Sequence, residues 1–598
     1  AAGFNNHFAF AITCGLGSFL LAVYMRRGIL LFQINCLGGI HGLFPEKTCL
    51  RGLVLTCLFT SPPVFRFGKI PGADATGLIS SVKFTIKYVV VSDDSLVQTG
   101  GSSKAKEISS ILTHFSGVDP KKPMRHQHET TDPSALLALL YDRIDYERRG
   151  LPDEQGEFRL DRMRQLMEQL GNPADSLPCI HVAGTKGKGS TACMIQQIAL
   201  LAGYRVGLYT SPHLECLEER WVIDGQACQP DQLRRLFQQV QPVVEMLDKQ
   251  DPQKQGPTFF DITTAMAILH FQQSQVDLAI LEVGLGGRLD STNICHPDAA
   301  IITNIGLDHT HLLGYTIEEI AAEKAGIIKP GIPVISGTRD AGARAVIQDI
   351  ARRQGAPLLL IGRDFDVRRN TRNVAGEPEQ FTFSGTINGR EICWKNLASG
   401  IPGRHQVENA AVALAAIACL ADRWPIDEPW IRQGLATAYC PARLELFPGQ
   451  PQLLLDVSHN LPSVEALTRH LETEVTAERR LLLFSCSRDK DSEGMLACLL
   501  PHFDDIIFTR FTGNPRAAAP GELRDQAARW LEKQPARDFQ QRSPRLSECQ
   551  HPGDGWERAL EIAGPDDVIC IAGSFFLAAE IRPMLRERTS LPLNQPTS

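Results

Sequence analysis

At 598 residues the chain is too long for a single hydrophobic core, and its 43% hydrophobic content is ordinary for a soluble globular protein. The net charge of −7 is unevenly spread: residues 1–128 carry 13 Lys and Arg against 6 Asp and Glu, a balance of +7, and the rest carries 48 against 62, a balance of −14. So acidic a body excludes a basic nucleic-acid-binding surface, and an anionic ligand has to be met by local devices: a helix N-terminus, a few cations, metal ions.

Phe8 to Met25 is uncharged, mostly apolar and followed by Arg26-Arg27, the pattern of a signal anchor or a short membrane span. Gly15 and Gly17, the borderline length and the aperiodic Gly-, Ser- and Pro-rich sequence beyond it favour the other reading, an upstream extension, as does a first residue that is Ala and not Met. Lys83–Val91 has the composition of a strand without an evident partner. Lys121-Lys122-Pro123 and the His- and Thr-rich stretch to Asp132 read as a linker. Helices are expected over Ala135–Tyr146 and Phe158–Leu170. Strands and helices then alternate. Cys179–Ala183, Tyr204–Tyr209, Leu278–Val283, Ala299–Thr303, Val334–Ser336 and Leu358–Ile361 are short apolar runs of the parallel-strand kind. Ser190–Ala202 and Val407–Leu420 are helices, and Phe381–Trp394 is a small antiparallel insertion. Pro425 and Pro429 mark a boundary in Trp424–Cys440, after which a second series begins: strands at Leu453–Val457, Arg480–Ser485, Asp505–Thr509 and Val568–Ala572, helices at Ser463–Glu472, Glu522–Glu532 and Phe575–Leu585. The expected organisation is an extension over 1–128, an α/β domain over 129–438, a smaller Rossmann-like α/β domain over 439–590 and a tail over 591–598. Two such domains with a cleft between them suit an enzyme that closes on its substrates.

The strand Cys179–Ala183 runs into Gly184-Thr185-Lys186-Gly187-Lys188-Gly189-Ser190-Thr191 and then directly into a helix. Glycines let backbone N–H groups approach phosphates, the helix start adds positive potential, and Lys188 is placed for the β- and γ-phosphates of ATP. The motif departs from G-x-x-x-x-G-K-[ST], with Val182 at the first Gly position and Gly189 after the lysine. Taken alone it is also a Gly-rich strand-to-helix turn. Further along stand Thr210-Ser211-Pro212-His213-Leu214, the segment Leu281-Glu282-Val283-Gly284-Leu285-Gly286-Gly287-Arg288-Leu289-Asp290-Ser291-Thr292-Asn293, Asp308-His309 and Glu323-Lys324-Ala325-Gly326-Ile327. A glutamate at the end of an apolar strand, followed by glycines, can coordinate a hard cation at the sheet's C-terminal edge.

The phosphate loop G-T-x-G-K-G-S resembles that of the muramyl-peptide (Mur) ligase superfamily. The four later segments, in this order, resemble the folylpolyglutamate/dihydrofolate synthases within it. That resemblance covers about residues 134–590. It implies a Mur-ligase-type P-loop domain followed by a Rossmann-like domain, and an ATP-dependent ligase working through an acyl phosphate. It further implies that Ser211 and Glu282 hold one Mg²⁺ on the ATP phosphates, that His309 holds a second, and that Lys324 is a carbamylated lysine. Gly184, Thr185, Gly187, Lys188, Gly189, Ser190 and Thr191 would bind ATP. Pro402-Gly403-Arg404-His405-Gln406 with Asn409 resembles a segment whose Asn faces the adenine. Pro441-Ala442-Arg443-Leu444-Glu445 resembles P-G-R-x-E, with Ala442 for the usual Gly and Arg443 reaching the phosphates. Asp456-Val457-Ser458-His459-Asn460 resembles D-x-A-H-N-P, with Asp456 at the ribose, His459 at the nucleotide, and Leu461 where Pro is usual. Asp489-Lys490-Asp491 and Gly573-Ser574-Phe575-Phe576 match two further motifs.

The pterin site is implied at Thr258-Phe259-Phe260-Asp261, where Asp261 replaces the family's Glu, together with Arg288 and Asp290. Phe259 and Phe260 read equally well as core packing. The implied substrates are reduced folate, dihydropteroate, L-glutamate and ATP, in a cytoplasmic monomer with neither nucleic-acid nor membrane partner. The alternatives are a muramyl-peptide ligase, an unrelated P-loop ATPase, and a membrane-tethered binding protein resting on residues 8–25. The 16 cysteines, none in a C-x-x-C pair, speak against a disulfide framework and a structural zinc, and suit a reducing compartment.

Overall fold

The computed structural model describes Leu140, Tyr141, Arg143 and residues 159–250, 256–370, 380–534 and 543–589, together with the backbone of five strands in the first 128 residues. The expected helix Ala135–Tyr146 and linker therefore lie largely outside the described residues. The chain divides into two units, Ala1–His128 and Glu129–Ser598.

In the first unit β1 (His7–Cys14), β2 (Gly17–Arg26), β3 (Ile29–Cys36), β4 (Leu53–Cys57) and β5 (Ile86–Val89) form one antiparallel sheet in the order β4-β3-β2-β1-β5. The apolar run Phe8–Met25 is thus two paired strands, Phe8 opposite Val23 and Cys14 opposite Gly17. The Lys83–Val91 segment does have a partner: β5 pairs with β1, Ile86 opposite Ile12. Sequence periodicity cannot reveal a partner some 75 residues away.

The second unit is built on a central sheet of β6 (Cys179–Ala183), β7 (Val206–Tyr209), β8 (Trp221–Ile223), β9 (Gln226–Ala227), β10 (Leu278–Glu282), β11 (Ala299–Ile302), β12 (Val334–Ser336) and β13 (Leu358–Leu360). Its order is β13-β12-β11-β6-β10-β7-β8-β9, parallel from β13 to β7, with β8 and β9 added antiparallel. Every residue of β6 and β10 is buried, which is why both read as unbroken apolar runs. The strand alternation divides them between layers. Ile180 and Val182 join the core with the helices Lys188–Leu201 and His405–Cys419, while Cys179 faces the core under the helix Phe259–Gln273. The antiparallel insertion is larger than expected, three strands: β14 (Phe365–Arg369), β15 (Gln380–Ile387) and β16 (Arg390–Ala398).

Trp424–Cys440 holds a helix, Glu428–Ala436, with Pro429 in its first turn. Proline starts this helix because an N–H there has no intrahelical acceptor to lose. Beyond it β17 (Glu445–Phe447), β18 (Gln452–Leu455), β19 (Arg480–Phe484), β20 (Asp505–Phe508), β21 (Arg545–Glu548) and β22 (Val568–Ala572) form a sheet in the order β17-β18-β22-β19-β20-β21, parallel but for β17. Among the described residues no helix is long and apolar enough to cross a membrane.

Candidate active site

The parallel strands β6, β10 and β11 deliver their C-terminal ends to one edge of the central sheet, and three loops converge there. After β6 the chain turns through Gly184 (φ +151°) and Gly187 (φ +81°) into the helix Lys188–Leu201. Neither glycine has room for a side chain. A Cβ on Gly184 would lie 1.9 Å from Thr303 Oγ1, and one on Gly187 would lie 2.2 Å from Asn409 Oδ1. Asn409 therefore sits directly over the phosphate loop, although 222 residues separate the two in sequence. Its amide is oriented by a hydrogen bond donated to Gln406 Oε1 at 2.8 Å.

The loop is also tied to the segment after β11. Thr303 Oγ1 donates to Lys186 O at 2.6 Å, Lys186 N donates to Asn304 Oδ1 at 2.8 Å, and Lys186 Nζ pairs with Asp308 at 2.9 Å. Burial alone would raise the Asp308 carboxyl, but the charge and hydrogen bond of Lys186 hold it well below the usual carboxylate range. Lys186, Thr303 and Asn304 were not singled out in the sequence. Lys186 was visible inside the glycine-rich motif, whereas Thr303 and Asn304 carry no local signal.

Glu282, at the end of β10, is 6% exposed. Burial raises its carboxyl above the ordinary range, against the pull of Lys188, a hydrogen bond from Ser211 N (3.3 Å) and Arg443. A Cβ on Gly189 would come 3.5 Å from Glu282 Oε2, so the carboxylate faces the first turn of the phosphate-loop helix. Lys324 is 5% exposed, and its Nζ donates to Gly184 O at 3.1 Å. Burial, then the charge of Lys188, lower its ammonium to about 7. His309 takes a left-handed backbone, φ +51°, at the start of the turn Thr310–Leu313. Burial pushes its imidazole down to about 4, so the ring is neutral at pH 7.

The C-terminal domain supplies Arg443, His459 and Lys490. Arg443 acts electrostatically on Glu282 and lies over the Phe575 ring at 5.3 Å. Its neighbours Ala442 (φ +52°) and Leu444 (φ +50°) are both left-handed, which explains why a glycine would be at ease at position 442. The His459 ring is hydrogen-bonded through Nδ1 to Val457 O at 3.0 Å. It is lowered to about 3 by burial and then by Lys186 and Lys490. Lys490 also lowers His309, so the cations of both domains act on one space.

The carboxylates implied for the pterin are engaged within the protein. Asp261 caps the helix Phe259–Gln273, accepting from Thr258 N (2.9 Å) and Thr258 Oγ1 (2.7 Å), and takes Ser291 Oγ on its other oxygen at 2.7 Å. Asp290 accepts from Leu285 N at 2.9 Å, Thr292 N at 3.0 Å and the Thr292 hydroxyl. Both aspartates are buried. Arg288 is exposed and paired with Glu323 at 2.8 Å. Phe260 lies against Gly284, where a Cβ would stand 2.5 Å from its ring, and Phe259 stacks on Tyr141 at 5.6 Å. Asp456 is likewise engaged, by Leu444 N at 2.8 Å and by Ser458 N and Oγ at 2.8 and 2.6 Å.

The donor set fits a hard cation shared with a phosphate ligand. Among the described residues no cluster of three or more His, Cys, Asp and Glu could hold a metal by itself. A Mg²⁺ bound by one carboxylate, a hydroxyl, water and substrate oxygens needs none. Thr191 Oγ1, fully buried in the first turn of the phosphate-loop helix, has no hydrogen-bond partner among the described residues.

Comparison with known proteins gives consistent findings. The Mur ligase middle domain family model matches residues 182–417, and the Mur ligase, glutamate ligase domain model matches 442–575. A dihydrofolate synthase/folylpolyglutamate synthase of Bacillus subtilis is 36% identical over 435 residues, covering 71% of this chain and 95% of the relative. The structure of Escherichia coli FolC in complex with DHPP and ADP matches with TM-score 0.63 and 30% identity over 76% of this chain and 98% of that one. A bifunctional folylpolyglutamate synthase/dihydrofolate synthase with Mn, AMPPNP and L-glutamate bound matches with TM-score 0.62 and 31% identity, covering 76% and 98%.

Proposed function

The chain belongs to the folylpolyglutamate synthase/dihydrofolate synthase family of Mur ligases, and from that premise we propose that it joins L-glutamate to tetrahydrofolate and to dihydropteroate at the expense of ATP. The observation that carries this reading is the convergence of Lys188, Glu282, Lys324, His309 and Asn409 on one sheet edge, facing Arg443, His459 and Lys490 of the second domain.

A substrate carboxylate oxygen attacks the γ-phosphorus of ATP, the bond to the β–γ bridging oxygen breaks, and ADP leaves. The glutamate amine then attacks the acyl phosphate carbonyl, loses a proton, and inorganic phosphate departs. Every reactant before the amine is anionic, so the protein's task is to position anions and offset their repulsion. Lys188 lies at the phosphates, and the backbone N–H groups of Gly187, Gly189 and Ser190 line the helix start. Thr185 Oγ1 is hydrogen-bonded across to Gly306 N at 3.0 Å and shapes the loop. Asn409 faces the adenine side, and Arg443 comes to the phosphates from the second domain. His459 keeps its Nε2 available to the nucleotide, with Asp456 fixing the turn that carries it.

Ser211 and Glu282 would hold one Mg²⁺ and His309 a second, and magnesium there would neutralise charge developing on the transferring phosphoryl. Lys324, its ammonium lowered to about 7 by burial and by Lys188, is suited to carbamylation. Its neutral amine adds to carbon dioxide, an N–C bond forms, a proton is released, and an anionic side chain results. Phe260, Asp261, Arg288 and Asp290 form the pterin end of the site in this reading, the aspartates shaping it through the loops they brace. The protein is taken as a cytoplasmic monomer; all twelve described cysteines are free thiols, which agrees with a reducing compartment.

The test is phosphate release by the full-length protein with ATP, Mg²⁺ and L-glutamate, given dihydropteroate or tetrahydrofolate. Turnover with both, lost in Lys188→Ala, is expected. Turnover with tetrahydrofolate alone would remove the dihydropteroate activity, and silence with both would overturn the reading.

A further inference from the structure

The connector between the two ligase domains carries a thiol that the ligation chemistry does not use. From the helix Glu428–Ala436 to Cys440 the chain runs along the helix Lys188–Leu201, towards its phosphate-binding end. Three successive contacts mark this path. A Cβ on Gly434 would lie 2.5 Å from Ile198 Cα, so the two backbones touch. Gln197 Nε2 donates to Thr437 Oγ1 at 3.1 Å. Finally, the Cys440 thiol meets the thiol of Cys193 and the hydroxyl of Ser190. Cys193 is 8% exposed, Cys440 is half-buried, and both are free. Two residues on, Ala442 takes its left-handed conformation, and Arg443 follows. The thiol pair thus joins the phosphate-loop helix to the connector between the two ligase domains, where a closing motion of one domain on the other would be hinged.

We propose that Cys193 and Cys440 form a reversible disulfide that staples the interdomain connector to the phosphate-loop helix and switches the ligase off. The oxidant is a hydroperoxide. Cys440, the more exposed of the two, attacks the O–O bond as its thiolate and becomes a sulfenic acid, while the departing oxygen leaves as water or alcohol with a proton. Cys193 Sγ then attacks Cys440 Sγ and expels hydroxide, which takes the Cys193 proton and leaves as water. With hydrogen peroxide, two thiols and one peroxide give one disulfide and two waters. The hydrogen bond from Cys193 lowers the Cys440 thiol, burial opposes it, and the Arg443 charge assists, while the Cys193 thiol is raised, so Cys440 is the readier thiolate of the two. A second touching pair, Cys179 and Cys295, lies 0% and 1% exposed and gives peroxide no route.

The experiment treats full-length protein with hydrogen peroxide in the absence of substrates. Peptides are then mapped by mass without reduction, and ATP-, glutamate- and tetrahydrofolate-dependent phosphate release is measured before and after dithiothreitol. The expected result is a Cys193–Cys440 linked peptide with Cys179 and Cys295 unlinked. Turnover falls by about tenfold or more, in line with a blocked closing step, and dithiothreitol restores it. In Cys440→Ser and Cys193→Ala the ratio of treated to untreated turnover stays near one. Absence of the linked peptide from treated wild-type protein would overturn the proposal, as would equal peroxide inhibition of Cys440→Ser. The peptide map needs neither a folded variant nor a known substrate, so its outcome is separate from that of the proposed ligase activity.

Discussion

In the proposed mechanism Lys324 is a common side chain that burial turns into a reagent. An exposed lysine near 10.5 is almost wholly protonated at neutral pH, whereas burial brings this one to about 7, so that neutral amine is present at neutral pH to add carbon dioxide. On the proposed carbamylation, turnover declines as pH falls below about 7, because the amine is protonated and the carbamate is lost. The kcat–pH profile at fixed bicarbonate is expected to show that acid limb. Lys324→Arg keeps the cation but cannot be carbamylated, so its kcat should fall by about 10²-fold or more across the profile; near-normal turnover would remove carbamylation from the mechanism. Residue identity announced Lys188 and Glu282, since a lysine after glycines and a glutamate ending an apolar strand each have a chemical reading. It did not announce that Asp261 and Asp290 spend both oxygens inside the protein. A carboxylate's partners are fixed by loops distant in sequence.

At the scale of elements, the phosphate loop is precise because its neighbours leave no slack. Gly187 is left-handed and lies under Asn409, so Gly187→Ala adds a strained conformation costing about 1–2 kcal/mol and a clash that displaces the Asn409 amide. The expected result is a rise of about tenfold or more in the dissociation constant for ADP, by calorimetry, equivalent to about 1.4 kcal/mol. Unchanged ADP binding would mean that Asn409 does not form part of the nucleotide site. The buried strands were legible because each is apolar throughout. The helix Phe259–Gln273 was not, because a helix buried on nearly every side loses its amphipathic period. Pro429, which interrupts the sequence pattern, opens a helix within the connecting segment, a role decided by its position in the first turn.

At the scale of the molecule, a buried ionic network joins the domains. Arg582, 2% exposed, holds both oxygens of Glu445, bonds the Tyr439 hydroxyl at 2.6 Å, and reaches Glu215 in the loop after Ser211-Pro212-His213-Leu214. Arg586 adds a bond to Glu215 at 2.7 Å. Arg582→Ala leaves Glu445 buried without its partner and is expected to cost about 3–5 kcal/mol in urea unfolding. Glu215→Ala, which leaves Arg582 its other partners, should cost less and chiefly raise KM for ATP by loosening the domain carrying Arg443. The cations of the cleft set a pH dependence as well. His459 is lowered from 6.5 to about 3 by burial, with Lys186 and Lys490 adding to it, so the folded state favours the neutral ring. Its contribution is full above 6.5 and is lost as pH falls from 6.5 towards 3. The urea midpoint should decline through that window, less steeply in His459→Asn; equal slopes would mean that the ring is solvated in the folded protein.

The sequence by itself determined the α/β class, the phosphate loop and the motifs of the ligase family, because strand burial, glycine freedom and side-chain chemistry are local properties that survive in one dimension. Only the tertiary structure decided that Asn409 lies over Gly187, that Lys186 pairs with Asp308, and that Cys440 meets Cys193. The same holds for Lys324, whose ordinary amine becomes one poised near neutrality. Each of these depends on chain segments brought together across the sheet edge, where proximity and desolvation, set by the fold as a whole, fix the charge and reach of every group.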